Sequence, residues 1–283
     1  MGRRYDTITF LSDYGLVDEF VGVVKSVIRS IAPTVAVIDL THDIEPHDVR
    51  AGALTLARSA QYLVPGVVLA VVDPGVATNR RAIAIEVGKG QSILVGPDNG
   101  LLAAAVAMVG GADRAVELTN EDYHLPAPGA TFAGRDVFAP AAAHLASGVD
   151  LDELGARVDA VSLVPGLMPI SREQNGALVG DVLWVDRYGN AQLNIDPSEI
   201  DEWGDRIRLR FGETSRTARR ADSYAALKPG EVGVVVDSYG LLAVCVDRGS
   251  AAAELGLRAG DPITLDPLAD EEDRSVPVRL QPR

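Results

Sequence analysis

The chain has 283 residues, with 26 Lys and Arg against 40 Asp and Glu, a formal net charge of −14, and 47% hydrophobic to 23% charged residues. That length suits two domains with a sizeable core, and the apolar share excludes a disordered chain. No apolar run approaches the ~18 residues of a membrane span, and Met1-Gly2-Arg3-Arg4-Tyr5-Asp6 leads straight into a strand-like segment, so neither signal peptide nor anchor is expected. Cys245 is the only cysteine, which excludes an intrachain disulfide framework and a multi-cysteine zinc site. A soluble cytoplasmic protein is the expectation. The acidic balance argues against nucleic acid, whose phosphates require clustered Lys and Arg.

The first half alternates strand and helix. Thr7–Leu11 is short, β-branched and apolar, and stops at Ser12-Asp13-Tyr14-Gly15. Phe20, Val24, Val27, Ile28 and Ile31 recur at helical spacing and predict a helix over Val17–Ile31. Val35–Leu40 reads as a second strand, and Asp48 precedes a helical stretch through Ala51, Leu54 and Ala57. Val67–Val72 is a continuous apolar run, the pattern of a strand covered on both faces, and Asp73-Pro74-Gly75 ends it. Ala82–Val87 and Ser92–Val95 flank Gly88-Lys89-Gly90-Gln91 as a hairpin. Asn99–Val109 and Phe138–Ala146 read as helices, the latter with Pro140 in its first turn. This order predicts a layered α/β domain with a mostly parallel sheet.

The composition then changes. Residues 161–176 carry Pro, Gly and polar residues without periodicity, which places a linker at 163–176 between domains 1–162 and 177–283. Beyond it, Ala177–Val185, Ala191–Ile195, Arg206–Phe211, Val232–Val236, Leu241–Val246 and Pro262–Leu265 read as strands of a small β-barrel or sandwich.

Several motifs fail on inspection. Gly129 to Asp136 has P-loop glycine spacing without its Lys and hydroxyl residue, and Gly88 and Gly90 open no helix. The cluster His42, Asp43, Glu45, His47 and Asp48 matches no zinc-ligand spacing. No G-x-S-x-G elbow is present, none of His42, His47, His124 and His144 sits in a triad context, and Cys245 lies mid-strand as a buried thiol. What remains informative is that Asp13 and Asp73 each follow an apolar strand of the α/β half. Ligands of such sheets bind beyond the carboxyl ends of the strands, where a carboxylate can accept two ribose hydroxyls or instead cap the next turn.

Six motifs occur in order: Phe10-Leu11-Ser12-Asp13; Val72-Asp73-Pro74-Gly75-Val76 with Arg80-Arg81; Gly96-Pro97-Asp98-Asn99-Gly100-Leu101-Leu102; Thr131-Phe132-x-Gly134-Arg135-Asp136; Asp186-x-Tyr188-Gly189-Asn190; and Ser238-x-Gly240. Over essentially the whole chain this resembles the S-adenosylmethionine hydroxide adenosyltransferase family, the adenosine-forming hydrolases related to fluorinase and chlorinase. The resemblance implies an N-terminal α/β domain, a C-terminal β-barrel, and a homotrimer with sites between neighbouring subunits. It also implies substitution at C5′ of S-adenosyl-L-methionine by water or hydroxide, giving adenosine and L-methionine. The thioether leaves without a proton, so alignment and desolvation carry much of the catalysis, and no cofactor or metal is implied.

By that resemblance Asp13 holds the ribose hydroxyls, and Asp73 and Arg80 are two members of a water-activating trio. Asn190 lies on the adenine side, with Tyr188 packing beside it and Phe132 at the substrate. Asp186 receives the methionine ammonium and Ser238 contacts the amino-acid end. Val246 and Arg248 offer backbone groups to adenine, and Tyr224 stacks on the base. Asp186 and Asn190 are also ordinary turn residues, and Tyr224 also suits a core. Two departures stand out. Ala77 replaces a glycine of the Asp-Pro-Gly-Val-Gly-Thr pattern, which strains the loop if φ is positive there. Ala133 occupies the position of the trio's histidine. Hydrolysis therefore stands first, with a 5′-halogenating adenosyltransferase and a catalytically impaired S-adenosylmethionine binder as alternatives. Asp73 opposes the halogenase, because a carboxylate repels an entering halide.

Overall fold

The computed structural model describes residues 2–166 and 169–268. The chain divides into two compact units between residues 168 and 169. Residues 167 and 168 of the expected linker, and 269–283 of the expected second domain, lie outside the described residues.

In the first unit, β1 (Thr7–Ser12) leads to α1 (Phe20–Ile31), β2 (Ala36–Thr41), α2 (Val49–Ser59) and β3 (Val67–Val71). Then come β4 (Ala82–Val87), β5 (Ser92–Pro97), α3 (Ala103–Met108), β6 (Ala112–Glu117) and, after a π-turn at Gly134–Phe138, α4 (Ala139–Ala146). The sheet order is β2-β1-β3-β5-β4-β6. Its β1–β2, β1–β3 and β3–β5 pairings are parallel, whereas β4 pairs antiparallel with β5 and β6. The fully buried β3 shows why a continuous apolar run was required. Val67, Leu69 and Val71 pack in the core shared with α1 and α4, while Val68 and Ala70 join the core shared with α2 and α3. The sheet is thus covered on both faces, as the apolar pattern predicts.

Differences from the sequence expectation have local causes. α1 starts at Phe20, because Leu16 and Val17 are 69% and 98% exposed and have no surface to pack on. α3 is confined to Ala103–Met108: Gly100 has φ +93°, outside helical space, and the Asn99 side chain closes a turn by accepting from Leu101 N–H at 3.1 Å. β6, with a single apolar pair at Ala115-Val116, escaped the pattern altogether.

The second unit comprises β7 (Arg172–Gln174), β8 (Ala177–Val185), β9 (Ala191–Leu193), β10 (Arg206–Phe211), β11 (Thr214–Arg220), β12 (Val232–Val236), β13 (Leu242–Val246), α5 (Ala251–Leu255) and β14 (Pro262–Pro267). The order β14-β10-β11-β12-β13-β9-β8, with β8 pairing back to β14, closes a seven-stranded barrel, and β7 adds to the outer edge of β8. Closure removes the exposed sheet edges that a sandwich of the same strands would leave. Leu178, Val182, Leu193, Ile207, Leu209, Val234, Val244 and Leu265 are among the residues of its core. β7 occupies residues read as linker: Asn175 (φ +56°) and Gly176 (φ +78°) form the two-residue turn of a β7–β8 hairpin. β11 was missed because only Ala218 of its seven residues is buried. Among the described residues no helix is long and apolar enough to cross a membrane.

Candidate active site

The strand order sets where a site can form. From β1 the chain crosses to β2 on one side, then returns past β1 to β3, so connections leave the carboxyl ends of β1 and β3 in opposite directions. Such a switch point opens a crevice at the strand ends. Asp13 and Asp73 stand there, since Ser12 pairs with Val71 in the parallel register.

Asp13 is held by the loop after β2. His47 N–H donates to Asp13 Oδ2 at 2.9 Å, from a residue at φ +70°. Two other residues of that acidic and histidine-rich run, His42 and Asp48, serve structure. His42 Nδ1 lies 2.8 Å from Ser12 Oγ, and its Nε2 is 3.1 Å from Asp39 Oδ1, inside ion-pair range though off the line of a hydrogen bond. Asp48 accepts from Ala51 N–H and caps α2.

Asp73 and Arg80 form a two-point ion pair across loop 74–79. Arg80 Nε donates to Oδ1 at 2.8 Å and Nη2 donates to Oδ2. Their side chains are 7% and 14% exposed, so the pair is largely withdrawn from water. The guanidinium carbon lies 5.1 Å from the Phe138 ring centroid, which supports it from the π-turn. Ala77 sits in the loop at φ +61°, so the strain foreseen from its replacing glycine is present. Asn99, which sequence reasoning passed over, donates to Val72 C=O at 2.9 Å and ties the following strand end to Asp73. Arg81 turns away from Arg80 to Asp98, with Nε donating to Oδ2 at 2.8 Å. The signal was in the sequence: a Gly-Pro-Asp-Asn-Gly run has side chains suited to holding backbone.

Phe132 and Ala133 precede the π-turn. The Phe132 ring meets Phe20 edge-on at 5.0 Å and Tyr14 at 5.8 Å, and Arg135 covers it at 5.0 Å while pairing with Asp136. Ala133 borders a cavity of 620 Å³ together with Glu121, His124 and Asp136.

The other expected residues lie in the second unit, where Asp186, Tyr188, Asn190, Tyr224, Ser238, Val246 and Arg248 line a single cleft of 800 Å³. Ser223 and Asp247 line it too and were not foreseen. Asp186 also serves as a turn residue: Oδ1 accepts from Tyr188 N–H at 2.9 Å and Asn190 N–H at 2.8 Å, while Oδ2 accepts from Asn190 Nδ2 at 2.7 Å. Oδ1 is saturated by these two bonds, and Oδ2 retains a lone pair for a further donor. Gly189 is obligatory in this turn, at φ +84°, because a Cβ there would lie 2.0 Å from Ser250 Oγ. Tyr188 is 78% exposed, and Tyr224 is 41% exposed. Partial burial pushes the Tyr224 phenol pKa up, so it lines the cleft as a neutral ring. Ser238 lies in the turn that Asp237 closes by accepting from Tyr239 and Leu241 N–H at 2.9 and 3.1 Å. Val246 ends β13, and Arg248 stands at φ +52°. Cys245 beside them is fully buried, its thiol pushed up to about 12 by burial, and is inert there.

Residues 8–155 match the SAM hydroxide adenosyltransferase N-terminal domain and residues 180–264 its C-terminal domain. The chain is 45% identical over 254 residues to an (R)-S-adenosyl-L-methionine hydrolase of Salinispora tropica, covering 90% of this chain and 95% of that protein. A hydrolase of the same name from Thermus thermophilus is 42% identical, covering 91% and 98%. A fluorinase of Nocardia brasiliensis is more distant, at 27% identity, covering 92% and 96%. Among solved structures, an uncharacterized conserved protein from Thermotoga maritima aligns with TM-score 0.83 and 35% identity, covering 92% of this chain and 99% of that one.

Proposed function

The chain belongs to the S-adenosylmethionine hydroxide adenosyltransferase family, and from that premise we propose that it hydrolyses S-adenosyl-L-methionine to adenosine and L-methionine. The observation that carries this reading is the Asp73–Arg80 pair at the sheet's switch point. A water beside it attacks C5′, the C5′–S bond breaks with its electron pair going to sulfur, and Asp73 takes the proton the water loses. Arg80 holds the carboxylate in place. The sulfonium carries its positive charge to neutrality as methionine departs, so no acid is needed on the leaving side. Asp13 accepts the ribose hydroxyls, with His47 N–H fixing its orientation.

In the second unit we assign the cleft to the adenine and amino-acid ends. Asn190 and the Val246–Arg248 backbone face adenine, Tyr224 stacks on it with Tyr188 beside, and Asp186 and Ser238 take the ammonium and carboxylate ends. We further assign a homotrimer in which a neighbouring subunit completes each site. The exposed Leu16 and Val17, directly after the Asp13 loop, support an interface there. A cytoplasmic location fits the buried, reduced Cys245.

The test is chromatography of S-adenosylmethionine incubated with the protein, with and without chloride. Adenosine and methionine in equal amounts are expected. A chloride-dependent 5′-halonucleoside would overturn the choice of nucleophile, and bound but unconverted S-adenosylmethionine would leave a binder. Light scattering showing a fully active monomer would overturn the trimer.

A further inference from the structure

Tyr14 follows Asp13 out of β1. Since Ser12 pairs with Val71 in the β1–β3 register, Tyr14 and Asp73 each stand two residues beyond that pair at neighbouring strand ends. The Tyr14 ring is fixed by three others: edge-on to Phe132 at 5.8 Å and to Phe10 at 6.4 Å, and tilted on Phe20 at 5.7 Å. Its tip rests on the π-turn backbone. A Cβ at Gly134 would lie 2.1 Å from the Tyr14 hydroxyl, so only glycine admits the phenol there. The next residue back is Ala133, whose methyl brings no polar atom to this corner.

Among the described residues nothing hydrogen-bonds the Tyr14 hydroxyl. The hydroxyl keeps access to solvent and can donate to a water at this corner. Burial first, then the negative charges of Asp13 and Asp73, drive its pKa well above the ordinary phenol value, with Arg80 opposing. The group is therefore a neutral O–H donor at any working pH and not a base.

We propose that the Tyr14 hydroxyl is the second polar group on the attacking water, beside Asp73. This rests on the hydrolytic reading above. A water that gives one hydrogen to Asp73 and accepts the Tyr14 O–H on one lone pair is left with its other lone pair for C5′. Two fixed partners thus aim the nucleophile, and Tyr14 supplies a polar contact in the corner where residue 133 has none. His124, on the cavity that Ala133 borders, takes no part.

Tyr14→Phe keeps the ring contacts and removes only the hydroxyl. Single-turnover adenosine formation should fall ~10- to 100-fold, with KM and adenosine affinity within about twofold. His124→Gln should leave the rate within about twofold. Adding Ala133→His to Tyr14→Phe should recover at least ~5-fold, because residue 133 adjoins the Gly134 on which the Tyr14 hydroxyl rests and an imidazole there returns a polar group to this corner. An unchanged rate in Tyr14→Phe, or a loss carried by KM and adenosine affinity alone, would overturn the proposal while the unaltered protein still makes adenosine. Failure of the unaltered protein to make adenosine would instead defeat the hydrolytic reading itself, and this proposal with it.

Discussion

Asp73 and Arg80 are joined at two points across a loop whose middle residue, Ala77, is held in left-handed backbone space. The loop closes on itself as well: Thr78 Oγ donates to Gly75 C=O at 2.6 Å. The carboxylate is thereby fixed by its own loop, and Asn99 anchors the strand end just before it.

Replacing Asp73 by Asn should lower kcat ~10²- to 10⁴-fold, the usual contribution of a positioned proton acceptor. Leaving Arg80 largely buried without its counter-charge should cost up to about 3 kcal/mol of stability. Asp98→Asn is the control, since it breaks the similar ion pair with Arg81. It should destabilise the fold with kcat per folded molecule unchanged, measured by single-turnover kinetics beside urea unfolding.

For Asp13, two substitutions separate charge from geometry. Asp13→Asn keeps an acceptor for His47 N–H, whereas Asp13→Ala removes it. Calorimetry should show Asp13→Ala weakening adenosine ~10- to 100-fold, and Asp13→Asn less. Equal adenosine affinity in all three proteins would remove Asp13 from the ribose.

Ala77→Gly should stabilise the protein. At φ +61° the methyl carries about 1–2 kcal/mol of strain, part of which the greater unfolded-state freedom of glycine offsets. A net gain of about 0.5–1 kcal/mol, or roughly 2 °C in Tm, is expected. A fall in Tm would mean that the Ala77 methyl makes packing contacts worth more than the strain.

Stability should decline below neutral pH for a histidine reason. Burial lowers the imidazole pKa of His144, on α4 against Tyr123, and that of His124, below the ordinary 6.5. The unfolded chain then takes up protons that the native protein refuses. The contribution is complete above pH 6.5 and is lost as pH falls from there to the lowered native values. Asp152, held down chiefly by its hydrogen bond from Arg157, loses its own contribution only below about pH 4. Urea midpoints compared at about pH 7.5 and 5.5 should fall, and His144→Gln should flatten part of that fall. An identical slope in the variant would exclude His144.

Much of the frame was legible in the residues. A strand buried on both faces has to be apolar throughout, so β3 could be read from its composition, and Asp13 and Asp73 could be placed at strand ends because a charge cannot continue such a strand. The turn Asp186–Asn190 could be placed likewise, since a residue at φ +84° against Ser250 has to be glycine. Periodicity reports only how one element is buried along its own length. It missed β6 and β11, whose strand state comes from pairing with neighbours and not from an apolar stripe. It started α1 too early, at Val17, whose side chain is almost fully exposed and has nothing to pack against. The return crossing that brings β1 beside β3, and the contact of Tyr14 with Gly134, far away along the chain, were decided by tertiary structure alone. Each joins segments whose approach depends on the order in which the strands cross, and that order is carried by long-range packing and not by any local run of residues.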